Sequence, residues 1–222
     1  DRLIHSTYTA ETASEGKSLN KTTLQASLGL DVNEKDTLYT FVGRLTPQKG
    51  VDVFLGSLHD ILGRGHQLVV LASGEQKIED GLRAAEKTYR GRLRAILRFD
   101  AAIGQQLYAG ADILLMPSRF EPCGLGQLIA LRYGTIPIVH DTGGLHDTVI
   151  DARHDPVRGN GFVYSPNTPE NLTAACVAAE SLLQDPARRW AMVQRSMGVD
   201  YSWYTSAQQY AALYASLLQP NH

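Results

Sequence analysis

The sequence alternates short apolar runs, each about the length of one β-strand, with segments in which apolar residues recur at helical spacing. The apolar runs cover residues 37–42, 67–71, 93–97, 113–116, 136–139 and 162–163. The helical segments cover residues 51–62, 75–89, 103–108, 125–133 and 206–218, and two more begin at Thr168-Pro169 and Asp185-Pro186. Strands joined through helices and short turns predict an α/β fold with a doubly wound parallel sheet.

Residues 1–36 precede this alternation and are mostly polar. A modest helical pattern over residues 21–30 carries Leu24 and Leu28 and ends at Gly29. We expect residues 1–36 to form an N-terminal arm or linker outside the core, residues 37–200 to form the domain, and residues 201–222 to add a C-terminal helix.

Composition excludes several function classes. A net charge of -2 gives no electrostatic footprint for nucleic acid or for an anionic membrane, so any phosphate binding rests on a few placed cations. No apolar run reaches membrane-spanning length. The two cysteines, Cys123 and Cys176, do not form a disulfide framework, which favours a reducing, cytoplasmic compartment. We therefore expect no nucleic-acid partner and no membrane partner.

The segment 43–50 follows the first predicted strand and places Arg44 and Lys49 where a strand gives way to a helix. In an open α/β sheet these strand ends line the ligand crevice. An arginine fork and a lysine point charge, five residues apart, suit the oxygens of a diphosphate. Their spacing alone fits equally well with two surface charges that flank a turn.

The segment 118–125 follows a second strand and contains Glu121, with a glycine-bearing turn after it. One carboxylate can accept hydrogen bonds from sugar hydroxyls, whereas a glycosidase needs a second one about 5–9 Å away. No paired acid accompanies Glu121 in the sequence, which favours sugar transfer over hydrolysis. A helix N-terminal acid that complements the helix dipole fits this position equally well.

Other candidates give weaker signals. Phe99 follows the third predicted strand and suits either a nucleobase stack or a rim aromatic. Four glycines close strand–helix turns, which is more often simple turn geometry than a ligand site. They are Gly74, Gly124, Gly143 and Gly144. His140 and His146 flank one such turn without metal-site spacing, so we expect no metal.

Several of these segments recur in a known family, in the same order. They are residues 44–50, 108–112, 116–125, 131–135, 142–145, 201–203 and 206–207. At these positions the chain resembles the C-terminal half of bacterial glycogen synthases and plant starch synthases. The Glu-Pro-Cys-Gly-Leu segment at 121–125, together with Thr-Gly-Gly-Leu at 142–145, is highly specific to that family.

The resemblance implies one half of a retaining glycosyltransferase in which two Rossmann-like domains face each other across a cleft. It implies that Arg44 and Lys49 bind the donor diphosphate and that Glu121 contacts the glucosyl hydroxyls. Phe99 occupies the place of a nucleobase-stacking aromatic. Backbone N–H groups around Cys123, Gly124 and Leu125 assist, and Gly126, Thr142 and Gly143 complete the donor surface.

The reaction implied is transfer of glucose from ADP-glucose, or UDP-glucose, to the 4-hydroxyl at the non-reducing end of an α-1,4-glucan, without a cofactor or metal. Two positions depart from the family pattern. Gly126 stands where threonine is common, and Ile129 stands where tyrosine is usual. The first removes a possible hydrogen bond to phosphate, so it bears on donor affinity rather than on reaction type.

The family's N-terminal domain carries a Lys-x-Gly-Gly-Leu loop and most of the acceptor surface, and this sequence lacks that loop. The chain also begins at Asp1 rather than Met, as expected for a fragment. We therefore expect the donor-binding domain alone, inactive without its N-terminal domain, with residues 201–222 packing toward that domain. The expected location is the cytoplasm, or a plastid if the source is a plant or an alga.

Two other functions compete with this one. The first is a nucleotide- or glucan-binding module with no turnover of its own. The second is another retaining transferase of this architecture that uses a different donor. Such enzymes usually place a second glutamate eight residues after the first, and Ile129 at that position argues against them.

Overall fold

A computed structural model describes residues 1–218 of the chain. Its six strands form one parallel sheet in the order β3-β2-β1-β4-β5-β6. The strands are β1 (Leu38–Leu45), β2 (Gln67–Gly74), β3 (Leu93–Ile96), β4 (Ile113–Met116), β5 (Ile136–His140) and β6 (Phe162–Tyr164). This order is that of the Rossmann fold, so the predicted fold class is confirmed.

Helix α1 precedes the first strand, and helices α2 to α9 connect or follow the strands. They are α1 (Ala13–Leu28), α2 (Val51–Gly63), α3 (Gln76–Thr88), α4 (Ala101–Gly110), α5 (Gly126–Arg132), α6 (Gly143–Thr148), α7 (Pro169–Leu183), α8 (Pro186–Met197) and α9 (Trp203–Leu217). A 3-10 turn, Pro47–Lys49, separates β1 from α2. Within residues 1–218, no helix combines the length and the apolar character needed to span a membrane.

Both faces of the sheet are covered because successive strand residues point to opposite sides. In β1, Tyr39 and Phe41 face a core cluster that also holds apolar residues of α2, α3 and α7. Leu38 faces the other side, where it packs with residues of α1 and α4. Strands buried on both faces explain the near-continuous apolar runs in the sequence.

The N-terminal segment does not match the expected arm. Helix α1 begins at Ala13 and packs against α4, and Leu24 and Leu30 are buried in the core. The expectation that residues 21–30 lie outside the core is therefore wrong. The wider division at residues 36 and 200 stays a prediction, and its last four residues, 219–222, lie outside the described residues.

Charged side chains also fix helix α1 to the core, beside the apolar contacts of Leu24. The Lys21 ammonium lies 2.6 Å from a carboxylate oxygen of Asp112, and the Arg189 guanidinium lies 2.6 Å from the other. Asp112 also accepts the backbone N–H of Leu38, at 2.8 Å. Despite the burial, these cations and this hydrogen bond lower the pKa of Asp112. The two cations and the N–H donor compensate the cost of burying the charged carboxylate of Asp112.

Lys17 lies one turn before Lys21 and is buried among helix ends. Its ammonium donates to the carbonyls of Ala109 and Tyr133, at 3.0 and 3.2 Å, and to the Thr135 hydroxyl, at 2.8 Å. Burial lowers the pKa of this ammonium to about 7. The carbonyls belong to the C-terminal ends of α4 and α5, where a cation complements the helix dipole. One side chain thus fixes two helices that flank the candidate site.

Candidate functional site

The strand order reverses its direction between β1 and β4, because β2 and β3 extend to one side of this pair and β5 and β6 to the other. Ligands of open α/β sheets bind outside the carboxyl ends of the strands at such a point. The segment after β1 contains Lys49 and the segment after β4 contains Glu121. The topology therefore brings the two sequence motifs together at the expected edge of the sheet.

A cleft of about 460 Å³ opens at this edge. Its lining combines the ends of β1 and β2 with the loop before α4 and part of α4. The polar and aromatic lining residues are Arg44, Lys49, Ser73, Arg98, Phe99, Asp100, Gln105 and Tyr108. Three of the predicted donor-site residues, Arg44, Lys49 and Phe99, thus share one cleft.

Arg44 is the second-to-last residue of strand β1 and does not lie in the turn after it, because β1 continues to Leu45. It is paired in register with Ser73 of β2, which also lines the cleft. Its side chain is exposed, and among residues 1–218 its guanidinium has no hydrogen-bond or ion-pair partner. A rigid strand therefore presents an available arginine fork to the cleft.

Lys49 lies at the end of the 3-10 turn, and its ammonium is hydrogen-bonded to the carboxylate of Glu121. Glu121 also accepts a hydrogen bond from the Ser118 hydroxyl at 3.1 Å, and only 8% of its surface is exposed. The backbone carbonyl of Glu121 accepts the N–H of Gly144 at 2.9 Å. The carboxylate is therefore held in one position next to the cation that lines the cleft.

Phe99 is 88% exposed, so its ring serves no core. The next residue, Asp100, caps α4 by accepting the N–H of Ile103 at 3.0 Å. This hydrogen bond lowers the pKa of the Asp100 carboxyl, and an ion pair with Arg98 at 3.0 Å lowers it further. The capped helix fixes the start of α4, and an exposed aromatic ring next to it is suited to stacking on a planar base.

The segment from Cys123 to Gly126 leads into α5. Gly124 has a φ of 73°, in the left-handed region that favours glycine. The Gln127 side-chain amide donates to the carbonyls of Cys123 and Gly124, at 3.1 and 2.9 Å. Cys123 and Leu125 are exposed. A Cβ on Gly126 would lie 3.5 Å from the Tyr108 hydroxyl, which places this residue at the rim of the cleft.

Thr142 and Gly143 contact the backbone of residues 119–122, which contain Glu121, and they are not among the residues that line the cleft. A Cβ on Gly143, which has a φ of 45°, would lie 2.3 Å from the Glu121 carbonyl oxygen. One on Gly144 would lie 1.9 Å from the Cys123 carbonyl oxygen. The glycines permit this close backbone approach, and the turn predicted here is the start of helix α6. Their contacts are those of residues that support the Glu121 segment.

The remaining candidates are accounted for by local contacts. His140 shares a hydrogen bond with the Ser118 carbonyl at 2.8 Å, and His146 lies 2.6 Å from a carboxylate oxygen of Asp141. In the part of the chain that the structure describes, no group of three or more His, Cys, Asp or Glu side chains could hold a metal ion.

Several cleft or support residues were not singled out from the sequence: Ser73, Arg98, Asp100, Gln105, Tyr108 and Ser118. Tyr108 and Ser118 lie within motif segments, which was the available signal. No sequence signal identified Arg98, because a single arginine before a helix is common on protein surfaces.

Comparison with known proteins shows a family to which the chain belongs and several similar enzymes. The family described as glycosyl transferases group 1 matches residues 25–196. The chain is 41% identical to a glycogen synthase of Yersinia enterocolitica, over 98% of this chain and 46% of the relative. It is 43% identical to soluble starch synthase 1 of Solanum tuberosum, a chloroplastic or amyloplastic protein, over 96% of this chain and 34% of the relative.

A solved structure is similar over the same extent. The catalytic domain of starch synthase IV from Arabidopsis thaliana, bound to ADP and acarbose, superposes with a TM-score of 0.90 at 34% identity. The alignment covers 97% of this chain and 45% of that one. A sucrose-phosphate synthase from Thermosynechococcus elongatus, 21% identical with a TM-score of 0.64, shares the fold. The chain spans less than half the length of the glycogen and starch synthases it matches.

Proposed function

This chain belongs to the glycosyl transferases group 1 family, as its resemblance to glycogen and starch synthases predicts, and we propose that it is the donor-binding half of a retaining α-1,4-glucan synthase. The observation that carries the proposal is the joining of the two motifs. The ammonium of Lys49, which lines the cleft with Arg44 and Phe99, is hydrogen-bonded to the carboxylate of Glu121.

Arg44 and Lys49 bind the donor diphosphate. Cleavage of the sugar–phosphate bond leaves negative charge on the diphosphate, and cations that are already in place stabilise that charge with little reorganisation. Loss of one such electrostatic donor typically costs about 2–4 kcal/mol of transition-state stabilisation. The side chains supply this charge themselves, so the proposed reaction involves no metal.

Glu121 orients the glucosyl group by accepting hydrogen bonds from its hydroxyls. A glycosidase would use a second carboxyl group as a proton donor. Among the described residues, Asp100 is the carboxylate that lines the cleft, and its helix-cap hydrogen bond and Arg98 hold its pKa below the ordinary value. It is therefore ionised near neutral pH and unsuited to protonating a leaving group, which favours transfer to an acceptor over hydrolysis.

Phe99 stacks on the nucleobase. Base–aromatic stacking typically contributes about 1–3 kcal/mol per base and tolerates different bases. The similar starch synthase IV structure holds ADP, which favours ADP-glucose as the donor over UDP-glucose. The acceptor is the non-reducing end of an α-1,4-glucan, glycogen or starch.

The acceptor surface belongs to the N-terminal domain that completes the enzyme in its relatives. The chain matches 46% of the bacterial relative and 34% of the potato one. Helix α9 has no buried residue among those described, and Trp203 and Leu217 on it are 85% and 72% exposed. We assign this helix to contact with that other domain. We place the enzyme in the cytoplasm, or in a plastid if the source is a plant.

The alternative is a nucleotide- or glucan-binding module with no turnover of its own. Incubation with ADP-[14C]glucose and glycogen tests the proposal in two readouts, equilibrium binding and incorporation. We expect the 222-residue chain to bind the labelled donor without incorporating glucose, since orientation of both substrates is worth about 7–11 kcal/mol of barrier. Absence of donor binding contradicts the donor site, and robust incorporation by the chain alone contradicts the assignment to half an enzyme.

A further inference from the structure

Arg119 connects the two motif segments through hydrogen bonds that the proposed roles of Arg44, Lys49 and Glu121 do not use. Its guanidinium binds both carboxylate oxygens of Asp52, each at 2.6 Å, in the first turn of α2. The same guanidinium donates to the Pro47 carbonyl at 2.9 Å. Its backbone N–H donates to the Gln48 carbonyl at 2.8 Å. Arg119, which belongs to the segment after β4, thus fixes the position of the segment after β1.

A reciprocal hydrogen bond runs in the other direction. The Gln48 side-chain amide donates to the Phe120 carbonyl at 3.2 Å. The residues tied together, Pro47 and Gln48 on one side and Arg119 and Phe120 on the other, directly precede Lys49 and Glu121. The position of the ammonium relative to the carboxylate therefore depends on these cross-links.

The backbone geometry on the far side of Lys49 is equally constrained. Gly50 has a φ of 65°, and a Cβ there would lie 1.8 Å from the Pro117 carbonyl oxygen. Only glycine allows this approach without displacement of the backbone. The segment after β1 is thus pressed against the segment after β4 at Gly50 and tied to it at Pro47 and Gln48.

The Arg119–Asp52 pair adds little to overall stability. The two side chains are 44% and 63% exposed, and ion pairs at such exposure contribute little to the free energy of unfolding. A bidentate arginine–carboxylate pair does, however, fix direction as well as distance. The pair therefore fixes the position of the segment after β1 and adds little to the stability of the fold.

We propose that Arg119, with Asp52 as its partner, is a positioning residue of the donor site that keeps Lys49 in its diphosphate-binding position opposite Glu121. This inference rests on the proposed function of the cleft. Without Arg119 the 3-10 turn samples other positions, and the apparent affinity for a diphosphate falls in proportion to the fraction of molecules that remain competent. Binding of the nucleoside part, through Phe99, does not depend on this segment.

The test is an NMR titration of the 222-residue chain with ADP and, separately, with adenosine, followed at backbone amides. We expect Arg119→Ala to bind ADP about tenfold more weakly while its adenosine affinity is unchanged. Arg119→Lys keeps the charge but not the planar fork, so it does not restore ADP affinity. Asp52→Asn weakens ADP binding similarly, and the double variant adds little, since both residues act through one pair.

Arg158→Ala is the matched control, because Arg158 also pairs with an aspartate, Asp155 at 2.7 Å, on an exposed surface away from the cleft. It leaves both affinities unchanged. Wild-type ADP affinity in Arg119→Ala, or an equal loss for ADP and adenosine, overturns the positioning role and leaves the donor site standing. Failure of the wild-type chain to bind ADP overturns the proposed function and the inference with it.

Discussion

The ammonium of Lys49 is hydrogen-bonded to the carboxylate of Glu121, although 72 residues separate them in the chain. Each group is assigned to a different part of one ligand, the cation to the diphosphate and the carboxylate to the sugar. The two groups hold each other side by side, as the proposed binding of a phosphate next to a sugar requires.

Replacing Glu121 with Gln separates these two roles. The amide retains the shape but removes the negative charge beside Lys49, so ADP affinity is retained or rises. We expect the additional affinity of ADP-glucose over ADP to disappear, and glucosyl transfer by the assembled enzyme to fall steeply. Titration of both ligands into the variant measures this difference. A collapse of ADP affinity together with the melting temperature would show that Glu121 is structural.

Gly126→Thr tests the departure from the family pattern at the rim of the cleft. The nearest atom to an added Cβ is the Met116 terminal methyl, at 3.4 Å, which is ordinary contact. A threonine hydroxyl there adds one hydrogen bond to a charged phosphate, and we expect tighter ADP binding by about 1–3 kcal/mol. Gly126→Ala adds the Cβ without the hydroxyl and serves as the control. Equal affinities of the two variants would contradict a phosphate near this position.

Lys17→Met tests the buried cation that fixes α4 and α5. Methionine fills a similar volume but leaves the helix-terminal carbonyls of Ala109 and Tyr133 with fewer donors, and buried acceptors without donors are costly. We expect the free energy of unfolding to fall by about 1–3 kcal/mol, measured by urea denaturation at pH 7. Lys35→Met, at an exposed position, is the control. Unchanged stability of Lys17→Met would mean that Lys17 does not fix these helices.

Glu180 gives a pH dependence with a defined sign. Burial alone raises the pKa of this carboxyl, but hydrogen bonds outweigh it and lower the pKa from 4.5 to about 2. The donors are Tyr39, Arg64 and His66. A depressed carboxyl pKa contributes stability above the unfolded-state value, and this contribution is lost as the pH falls from 4.5 toward 2.

Glu180→Gln removes that titration. We expect the variant to be less stable than wild type at pH 7 and to lose less stability between pH 5 and pH 3, the accessible part of this interval. Urea denaturation at several pH values measures both slopes. Parallel slopes for the two proteins would contradict the role of Glu180.

The sheet could be predicted from the sequence because most of its strands are buried on both faces and therefore leave apolar runs, and the edge strand β3 keeps a shorter pattern around the exposed Arg94. Helix α1 was not predicted as part of the core, because the residues it buries include Lys17, Lys21 and Gln25, and polar residues give no apolar periodicity. Their partners, among them Asp112, lie far along the chain. Long-range pairing of this kind is invisible to a local pattern.

The same limit applies to the site. The sequence motifs and the position after β3 point to Arg44, Lys49 and Phe99, and these three residues share one cleft. The contact between Lys49 and Glu121 depends on β1 and β4 being neighbours in the sheet, and the alternation of strands and helices does not specify strand order. The Arg119–Asp52 pair connects the same two segments, so it could not be predicted without knowing that β1 and β4 are neighbours.

Calorimetric titration with ADP, of wild type and of the Arg44→Ala, Lys49→Ala double variant, tests whether the cleft binds a nucleotide-sugar donor through these two cations. We expect one-to-one binding by wild type and loss of measurable binding in the double variant. Arg44 is exposed and Lys49 only partly buried, so the melting temperature should change little. Equal ADP affinity in the two proteins, or no binding by either, would contradict the assignment of this cleft to a nucleotide-sugar donor.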